Sequence, residues 1–366
     1  MRIVYFTHSL ASCWNHGNAH FLRGVLRELI ALGHEVVAYE PEGAWSLGNL
    51  LKDHGEAGLA AWRDAYPELS STTYPPDADL EALIDGADLV IVHEWNEHDL
   101  VARIGRIEGP HTLLFHDTHH RAVSEPEAMR AYDLSRYDGV LAFGETLSEV
   151  YRKWGWGDRV FTWHEAADTR LFHPPSEEGE RRGLVWIGNW GDGERTAELE
   201  DFLFRPARNA GLPLEVFGVR YPKEALALLD RYGVRYSGWL PNARAPQVFA
   251  NHLATVHVPR KFYTTILPGI PTIRVFEALA CGIPLLSAPW SDSEDLFRVG
   301  RDFLMFGTGK EMEQALRDVA GDADLRASLV ASGLETIRAR HTCRHRAEEL
   351  MTIYARLQAA PLRSVA

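Results

Sequence analysis

Arg274 and Glu277 are the two charged residues of an otherwise mostly apolar stretch, Thr272–Cys281, which the sequence predicts to be a short helix ended by Gly282. Being three residues apart, they share one helix face. Arg274 lies in the first turn, where free N–H groups and the helix dipole already favour an anion. Glu277, one turn deeper, is able to accept hydrogen bonds from hydroxyl groups. The pair suits a sugar nucleotide, with diphosphate at the helix tip and ribose at the carboxylate; the simpler alternative is a surface ion pair.

Further cations and amide-rich loops lie at matching positions in the same half of the chain. A glycine-rich loop, 188–193, follows a predicted strand at 183–187 and opens a helix, so that its backbone N–H groups face a phosphate. Because the Lys-Ser/Thr ending is absent, the loop is not a Walker A motif. The residues predicted to bind the diphosphate-containing ligand are Gly188, Asn189, Arg195, Lys261, Thr272, Ile273, Arg274 and Glu277.

The elements that would position these groups alternate between strands and helices. Apolar runs at 2–7, 35–39, 88–92, 111–115 and 139–143 predict strands of the first half, with helical patterns between them. This alternation predicts an α/β fold with a doubly wound parallel sheet in each half. Ligands of such sheets lie beyond the carboxyl ends of the strands. The polar segments 93–96, 116–120 and 144–145 should therefore converge on one crevice with loop 8–18.

Length and composition set the class of protein. A chain of 366 residues is too long for one ordinary core, which favours two domains. The net charge of −13 argues against general nucleic-acid binding but allows one basic pocket. The three cysteines are scattered along the chain, and the N-terminus has the pattern of a strand and not of a signal peptide. No apolar run is long enough to cross a bilayer. These features favour a cytoplasmic protein. The G-x-G-x-x-G fingerprint is missing after the first strand, so NAD and FAD are not expected.

Four stretches resemble the group 1 superfamily of glycosyltransferases with the GT-B fold, and most closely its spore-maturation-like branch. They are the first loop and helix, His16-Gly17-Asn18 to Val36; the interdomain phrase Trp163–Pro174; the loop Gly188-Asn189 with Arg195; and the helix phrase Phe276–Pro284. The resemblance implies two Rossmann-like domains facing across a cleft. It implies an acceptor-binding domain at 1–172, a nucleotide-sugar-binding domain at 183–340, and a C-terminal helix within 341–366 that returns to the first domain.

The function implied is transfer of a sugar, of hexosyl type, from a nucleoside-diphosphate sugar such as a UDP-sugar to a hydroxyl-bearing acceptor in the cleft. In a direct displacement the acceptor hydroxyl needs a base, for which Asp117 and His116, then Glu94, are the catalytic candidates. No cofactor or obligatory metal is expected, since protein cations and the helix dipole offset the diphosphate charge. A metal bound by the histidine-rich segments ranks lower, because their spacing matches no ligand motif. The predicted acceptor-binding residues are His16, Gly17, Asn18, Trp95, His119 and His120.

One departure from the family pattern concerns the sugar. Many members carry two glutamates eight residues apart, and the first of these positions is Gly269 here. Two alternatives stay open: a nucleotide-sugar 2-epimerase on the same fold, and a non-catalytic protein that binds a nucleotide sugar as a partner. The sequence also leaves open the acceptor (glycan, lipid, protein or small molecule), the donor base and sugar, the stereochemistry and the oligomeric state.

Overall fold

The structure is a computed structural model that describes residues 1–176, 179–191 and 193–359. Within these ranges the chain forms two compact units. Unit 1 comprises residues 1–12, 22–165 and 343–359, and unit 2 comprises residues 13–21 and 166–342. Unit 2 thus takes a short segment, 13–21, from the N-terminal part of the chain, which the sequence had not indicated.

Unit 1 is built on a parallel sheet of seven strands in the order β3-β2-β1-β4-β5-β6-β7. Strands β4, β5 and β6 are fully buried, and β1 is buried except for Arg2, as the continuous apolar runs predicted. Two short strands, β3 and β7, were not predicted, because their few residues carry no distinct apolar pattern. The strands are β1 Arg2–Phe6, β2 Glu35–Pro41, β3 Ser71–Tyr74, β4 Leu89–His93, β5 Thr112–Asp117, β6 Gly139–Ala142 and β7 Val160–Thr162.

The helices of unit 1 connect successive parallel strands. They are α1 Ala19–Ala31 (whose first turn belongs to unit 2), α2 Trp45–Ala65, α3 Leu80–Ile84, α4 His98–Gly105, α5 Arg121–Ser124, α6 Pro126–Arg130 and α7 Glu145–Tyr151, with a π-helical turn Arg152–Trp156 and a 3-10 turn Gly157–Arg159.

Unit 2 repeats the design with a six-stranded parallel sheet in the order β10-β9-β8-β11-β12-β13. Its strands are β8 Leu184–Ile187, β9 Leu214–Phe217, β10 Arg235–Tyr236, β11 Ala254–His257, β12 Leu285–Ser287 and β13 Leu304–Met305. Its helices are α8 Thr196–Leu199, α9 Arg205–Asn209, α10 Lys223–Tyr232, α11 Ala245–Ala250, α12 Lys261–Thr265, α13 Ile273–Ala280, α14 Gly309–Gly321 and α15 Ala323–Arg340, with a π-helical segment Glu200–Phe204 and a 3-10 turn Asn242–Arg244.

The last helix, α16 Cys343–Ala359, belongs to unit 1. Its backbone carbonyl at Arg346 accepts a hydrogen bond of 3.0 Å from the indole Nε1 of buried Trp163. Farther along, Gln358 Nε2 donates to Thr112 Oγ1 at 2.7 Å, at the start of β5. These contacts hold the end of the described chain on the first sheet.

Both sheets change the direction of strand order at their first strand. In unit 1 the change occurs between β1 and β4, and in unit 2 between β8 and β11. Such a switch point leaves a crevice beyond the carboxyl ends of the two strands, where ligands of doubly wound sheets bind. The two doubly wound parallel sheets confirm the predicted fold class, and they define the two edges at which to look for a site.

Candidate functional site

Helix α13 places a buried charge at the carboxyl edge of unit 2. Thr272 precedes the helix in an extended conformation, and Gly282 follows it with a φ of 65°, a left-handed conformation that favours glycine. Glu277 lies in the middle of the helix with no exposed surface. A buried carboxylate is costly unless it is paired and hydrogen-bonded.

Three segments of unit 2 supply the partners of Glu277. Its Oε2 accepts a charge-assisted hydrogen bond from Arg274 Nη1, one turn earlier. Its Oε1 accepts from Asn242 Nδ2 at 2.7 Å and lies 3.2 Å from His20 Nδ1. A carboxylate has about four acceptor positions, so these contacts leave one of them on Oε2.

His20 approaches Glu277 in a defined tautomer. Its Nε2 accepts a hydrogen bond of 2.9 Å from the backbone N–H of Asp168, so the neutral ring carries its proton on Nδ1, which faces Glu277. The ring also packs edge-on against Phe172 at 4.1 Å between centroids. The residues that orient Glu277 therefore include the interdomain phrase 163–174 as well as segment 13–21.

The pKa of Glu277 reflects this set of partners. Burial alone would raise the pKa of the carboxyl, but Arg274, His20 and Asn242 outweigh burial and lower the pKa below its usual value. Glu277 is therefore ionised at neutral pH.

The glycine-rich loop after β8 is held by close backbone packing. A Cβ on Gly218 would lie 2.1 Å from the carbonyl oxygen of Gly188, so glycine is required there. Asn189 Oδ1 accepts from the backbone N–H of Val219 at 2.9 Å, and Asn189 Nδ2 donates to Asn15 Oδ1 at 2.7 Å. The predicted residues Gly188 and Asn189 therefore lie just after β8, and they contact both the end of β9 and segment 13–21.

Arg195, which was predicted to reach a diphosphate, donates hydrogen bonds to the protein backbone. Its Nη1 donates to the carbonyl of Val258 at 2.9 Å and its Nη2 to that of Asn189 at 2.8 Å. The guanidinium carbon lies 5.0 Å from the centroid of the Trp186 ring. Burial, and then the charge of Arg260, lower the pKa of Arg195 to about 10, so it remains charged. Its position makes it a fixed positive charge under the loop.

A buried polar chain supports the start of α13. His257, the last residue of β11, contacts Ser287 Oγ through Nδ1 at 2.9 Å and Thr272 Oγ1 through Nε2 at 3.3 Å. Burial, then the charge of Arg195, lower the pKa of His257 to about 3, so the ring is neutral. Thr272 and Ile273, both predicted from sequence, therefore lie at a helix start that is anchored to the central strand.

Lys261 and Gly269 occupy the two ends of the segment that leads to α13. Lys261 is the exposed first residue of α12, while its neighbour Arg260 forms the ion pair with Glu194 just after the glycine-rich loop. Gly269 has a φ of 93°, and a Cβ there would lie 2.3 Å from Ser293 Oγ. A glutamate does not fit at this position without a change in backbone conformation.

The predicted acceptor residues His16, Gly17 and Asn18 need a correction in their location. They were expected in the N-terminal domain, but the segment that contains them belongs to unit 2. A Cβ on Gly17 would lie 3.6 Å from Ile273 Cγ2, at the start of α13. Segment 13–21 leaves the first sheet because its polar groups have their partners at α13 and its neighbours. Acceptor binding by these residues stays a prediction.

Unit 1 carries a different carboxylate site at the carboxyl ends of β4 and β5. Glu94 follows β4 and has no exposed surface. Its Oε2 lies 3.2 Å from Arg121 Nη1, whereas its buried Oε1 has no hydrogen-bond partner among the described residues. Burial and then the charge of Asp117 raise the pKa of Glu94 well above its usual value, against the lowering effect of Arg121.

Asp117, the last residue of β5, lies in the same buried environment with both oxygens occupied. Oδ1 accepts from the backbone N–H of His119 at 3.0 Å, and Oδ2 accepts from the hydroxyl of Tyr151 at 2.8 Å. Burial raises the pKa of Asp117 to about 6, although these hydrogen bonds lower it. The two environments therefore both raise the proton affinity of their carboxyl group.

His116, the third predicted catalytic residue, is buried one residue earlier in β5. Its Nδ1 is hydrogen-bonded to the hydroxyl of Tyr5, and its ring lies edge-on to Trp163 at 4.8 Å. Burial lowers the pKa of His116 to about 3, so the ring is neutral at physiological pH. A histidine this weakly basic is a poorer proton acceptor than the neighbouring carboxylates.

The remaining predicted acceptor residues surround an exposed indole at this edge. The Arg121 guanidinium lies 4.5 Å from the centroid of the Trp95 ring, and His119 is edge-on to that ring at 5.4 Å. His120 packs against His119 at 4.0 Å and contacts Ser124 Oγ through Nδ1 at 2.9 Å. The structure therefore groups Glu94, Trp95, Asp117 and the two histidines, as the strand ends predicted.

Several residues that complete these sites were not identified from sequence. His20, Asn242 and His257 orient Glu277 and Thr272, and Arg121 contacts Glu94 and Trp95. A polar residue at the end of a buried strand was a signal for His257. His20, Asn242 and Arg121 contact residues that are distant in sequence, so no local sequence pattern indicates their roles.

Two general properties of the described ranges bear on the remaining expectations. No helix within them is both long and apolar enough to cross a membrane. Over the same ranges, histidine, cysteine, aspartate and glutamate side chains form no group of three arranged to hold a metal ion.

Comparison with known proteins supports the glycosyltransferase class. Residues 195–352 match the model of the family described as glycosyl transferase-like. No curated protein sequence matches the chain. The match covers much of unit 2, including α13, and it does not identify a branch, so the spore-maturation-like assignment stays a prediction.

Solved structures confirm the GT-B fold. An alpha-glucosyltransferase in complex with UDP and a 13-mer DNA containing an HMU base is 12% identical, with a TM-score of 0.68 over 97% of this chain and 99% of that one. A beta-glucosyltransferase described as a DNA-modifying enzyme, solved with and without uridine diphosphoglucose, is 13% identical, with a TM-score of 0.62 over 98% and 100%. T4 phage beta-glucosyltransferase is also 13% identical, with a TM-score of 0.61 over 98% and 100%. Because the first of these enzymes is bound to DNA and the second is described as DNA-modifying, the comparisons lend no support to the predicted exclusion of nucleic acid.

Proposed function

We propose that the protein is a glycosyltransferase that moves a hexosyl group from a UDP-sugar, bound by unit 2, to a hydroxyl group of an acceptor bound by unit 1. The observation that carries the proposal is the buried, ionised Glu277 on α13, with Arg274 one turn nearer the helix start. The family match over unit 2 and the GT-B fold support the same class.

The contacts of Glu277 suit it to bind a ribose. Glu277 Oε2 keeps one acceptor position, and the buried Oδ1 of Asn242 has no hydrogen-bond partner among the described residues. Two neighbouring acceptor oxygens match the two hydroxyl donors of a ribose. Ionised and fixed by His20 and Asn242, Glu277 accepts such bonds without changing its protonation state.

The diphosphate is assigned to the start of α13. A guanidinium has five N–H donors, and Arg274 uses Nη1 for Glu277, which leaves others for phosphate oxygens. The free N–H groups of the first helical turn add favourable dipoles. Arg195 donates to the carbonyl of Asn189 in the glycine-rich loop, and Arg260 is paired with Glu194 just after that loop. Both add positive charge that stabilises the leaving diphosphate without a metal ion.

The acceptor base is assigned to Glu94. Its buried Oε1 has no protein partner among the described residues, whereas both oxygens of Asp117, its neighbour at this edge, are engaged. In the reaction the acceptor O–H proton passes to Glu94 Oε1, the acceptor oxygen forms a bond to the anomeric carbon, and the bond from that carbon to the diphosphate breaks. The nucleoside diphosphate leaves with the electron pair. Asp117 raises the pKa of Glu94 and thereby makes it a stronger base.

The experiment that tests the proposal is incubation of the protein with UDP-glucose, UDP-galactose and UDP-N-acetylglucosamine, with and without a panel of hydroxyl acceptors. Released UDP and glycosylated product are measured by mass spectrometry. We expect UDP release from at least one donor, and its loss in Glu277→Ala but not in the exposed control Glu224→Ala. No UDP release and no product from any donor, with a folded protein, would contradict the proposal.

A further inference from the structure

Two tryptophans of unit 1 are exposed, which is unusual for such large apolar side chains. Trp45 is 56% exposed and Trp95 is 42% exposed, and the other nine tryptophans of the chain are buried or half-buried. An exposed indole lacks the stabilisation that burial of its apolar surface would give. The positions of these two side chains on unit 1 are therefore informative about what unit 1 binds.

Both indoles lie at the carboxyl edge of the first sheet. Trp45 begins α2 just after β2, and Trp95 follows β4. Strand β1 lies between β2 and β4. With about 4.8 Å between neighbouring strands, the two strand ends are about 10 Å apart. A ligand of two or more rings is long enough to extend across both strand ends.

The backbone beside each indole is hydrogen-bonded to the end of β1 or to the loop that follows it. Beside Trp45, Ser46 Oγ donates to Ser12 Oγ at 2.9 Å, and Ser12 Oγ donates to the carbonyl of Ser46 at 3.0 Å. Beside Trp95, Asn96 Nδ2 donates to the carbonyl of Phe6 at 3.0 Å. The backbone next to each indole is thus fixed before binding, which lowers the entropy cost of ordering this edge.

The charge of this edge argues against a phosphodiester. The segments 7–12, 40–45, 93–98 and 117–125 contain one arginine, Arg121, which is already paired with Glu94 and Glu125. The same segments contain six carboxylates: Glu40, Glu42, Glu94, Glu97, Asp117 and Glu125. Proteins that bind nucleic acid need an excess of cations along the backbone path. An uncharged ligand meets no such repulsion.

We infer that the acceptor is an uncharged oligosaccharide whose rings stack on Trp95 and Trp45. The C–H faces of pyranose rings are apolar and weakly positive, and they complement the negative face of an indole. The ring hydroxyls project from the edges of the sugar, where carboxylates accept hydrogen bonds. This inference rests on the proposed function and names the acceptor class of that site.

The test measures binding of defined probes in the presence of UDP. Maltotetraose, cellotetraose, chitotetraose and a mannotetraose are titrated by calorimetry, beside a 13-mer duplex DNA at low salt. We expect at least one tetrasaccharide to bind wild-type protein and to bind about 10-fold more weakly to Trp95→Ala and to Trp45→Ala. Trp95→Phe and Trp45→Phe, which keep a ring, should stay within about threefold of wild type.

The control is Trp156→Ala, which removes a half-buried indole just before β7, at the amino edge of the sheet. This variant should bind the tetrasaccharide as wild type does. Binding of no tetrasaccharide, equal binding by the alanine variants, or DNA binding that no tetrasaccharide displaces would each overturn the inference. UDP binding is measured in the same samples: if UDP binds and the sugars do not, only the acceptor class is wrong, whereas failure of UDP to bind contradicts the proposed function itself.

Discussion

Glu277 in unit 2 and Glu94 in unit 1 are both fully buried glutamates at the carboxyl edge of a parallel sheet, but their environments act on them in opposite directions. Glu277 has an arginine, a histidine and an asparagine around its two oxygens, and its pKa is lowered. Glu94 has one arginine, a nearby aspartate and an oxygen with no partner among the described residues, and its pKa is raised. A carboxylate kept ionised is suited to holding a ligand, whereas one with a raised proton affinity is suited to moving a proton.

The largest effect that would test this comparison is on the rate of Glu94→Gln. The amide keeps the size of the side chain but cannot accept the acceptor proton. We expect glycosyl transfer to fall by about 100- to 10,000-fold, the usual contribution of a general base, with UDP binding unchanged. Product formation by mass spectrometry and UDP binding by calorimetry measure the two quantities.

The matched control is Glu81→Gln, an exposed carboxylate on α3 outside the acceptor edge. It should retain wild-type activity. Normal transfer by Glu94→Gln, or an equal loss in both variants, would remove Glu94 from the role of base.

A second effect concerns the unfolding free energy of Glu277→Gln. The amide leaves Arg274 without its ionic partner, so we expect a loss of about 1–3 kcal/mol at pH 7. Because the pKa of Glu277 is lowered on folding, its contribution is present above the unfolded pKa and is lost as pH falls through the folded value. The difference between variant and wild type in urea unfolding should therefore shrink below about pH 4. A difference that does not depend on pH would indicate that the ion pair is not its source.

Asp117→Asn should have the opposite effect on stability. The pKa of Asp117 is raised to about 6 in the folded state, so the folded protein binds this proton more tightly than the unfolded chain does. Ionisation of Asp117 therefore lowers the free energy of unfolding as pH rises from about 4, the unfolded pKa, to about 6. Removing this carboxylate should stabilise the protein by about 1–3 kcal/mol at pH 7 and by little at pH 4. Urea unfolding at the two pH values measures this, and destabilisation at pH 7 would contradict the assigned proton affinity.

The same variant should also shift the pH dependence of catalysis. Wild-type transfer requires ionised Glu94, so the transfer rate should rise with pH as Glu94 loses its proton. The midpoint of this acid limb of the pH profile should lie at a higher pH than the usual pKa of a glutamate. After burial, the charge of Asp117 is the largest cause that raises the pKa of Glu94. Asp117→Asn should therefore move the acid limb to lower pH. An unchanged limb would separate Asp117 from the base.

The smallest expected effect is that of a chelator. We have assigned the neutralisation of the diphosphate charge to three arginines of unit 2, Arg274, Arg195 and Arg260. Because no metal ion is needed for this role, treatment with EDTA should change the transfer rate by less than about twofold. The control adds Mg²⁺ or Mn²⁺ back after EDTA treatment. A loss of activity that either ion restores would show that the cations of unit 2 are not sufficient.

The sequence was most informative where function depends on local pattern. The turn, helix and glycine around Arg274 and Glu277 were predicted within one residue at each end, because helix periodicity and caps are local signals. The strand ends also placed Glu94 and Asp117 at one edge, since parallel strands share their polarity. The helix predicted to follow the glycine-rich loop is instead interrupted by a π-helical segment at Glu200–Phe204.

What the sequence missed depends on contacts between distant segments. The departure of segment 13–21 to unit 2 follows from His20 meeting Glu277 and Asn15 meeting Asn189, both far apart in the chain. The two hydrogen bonds from Arg195 to backbone carbonyls were likewise not predicted, and binding of a phosphate by Arg195 stays a prediction. Neither pairing leaves a periodic pattern, so only the three-dimensional arrangement reveals them.

Calorimetric titration of UDP into wild type, Glu277→Gln and Glu94→Gln is the most direct test of the donor site. We expect UDP to bind wild type and Glu94→Gln equally and to bind Glu277→Gln about 10- to 100-fold more weakly, since the ribose loses a charged hydrogen-bond acceptor. Absence of UDP binding to folded wild type, or equal binding to all three proteins, would contradict the assignment of the donor to Glu277.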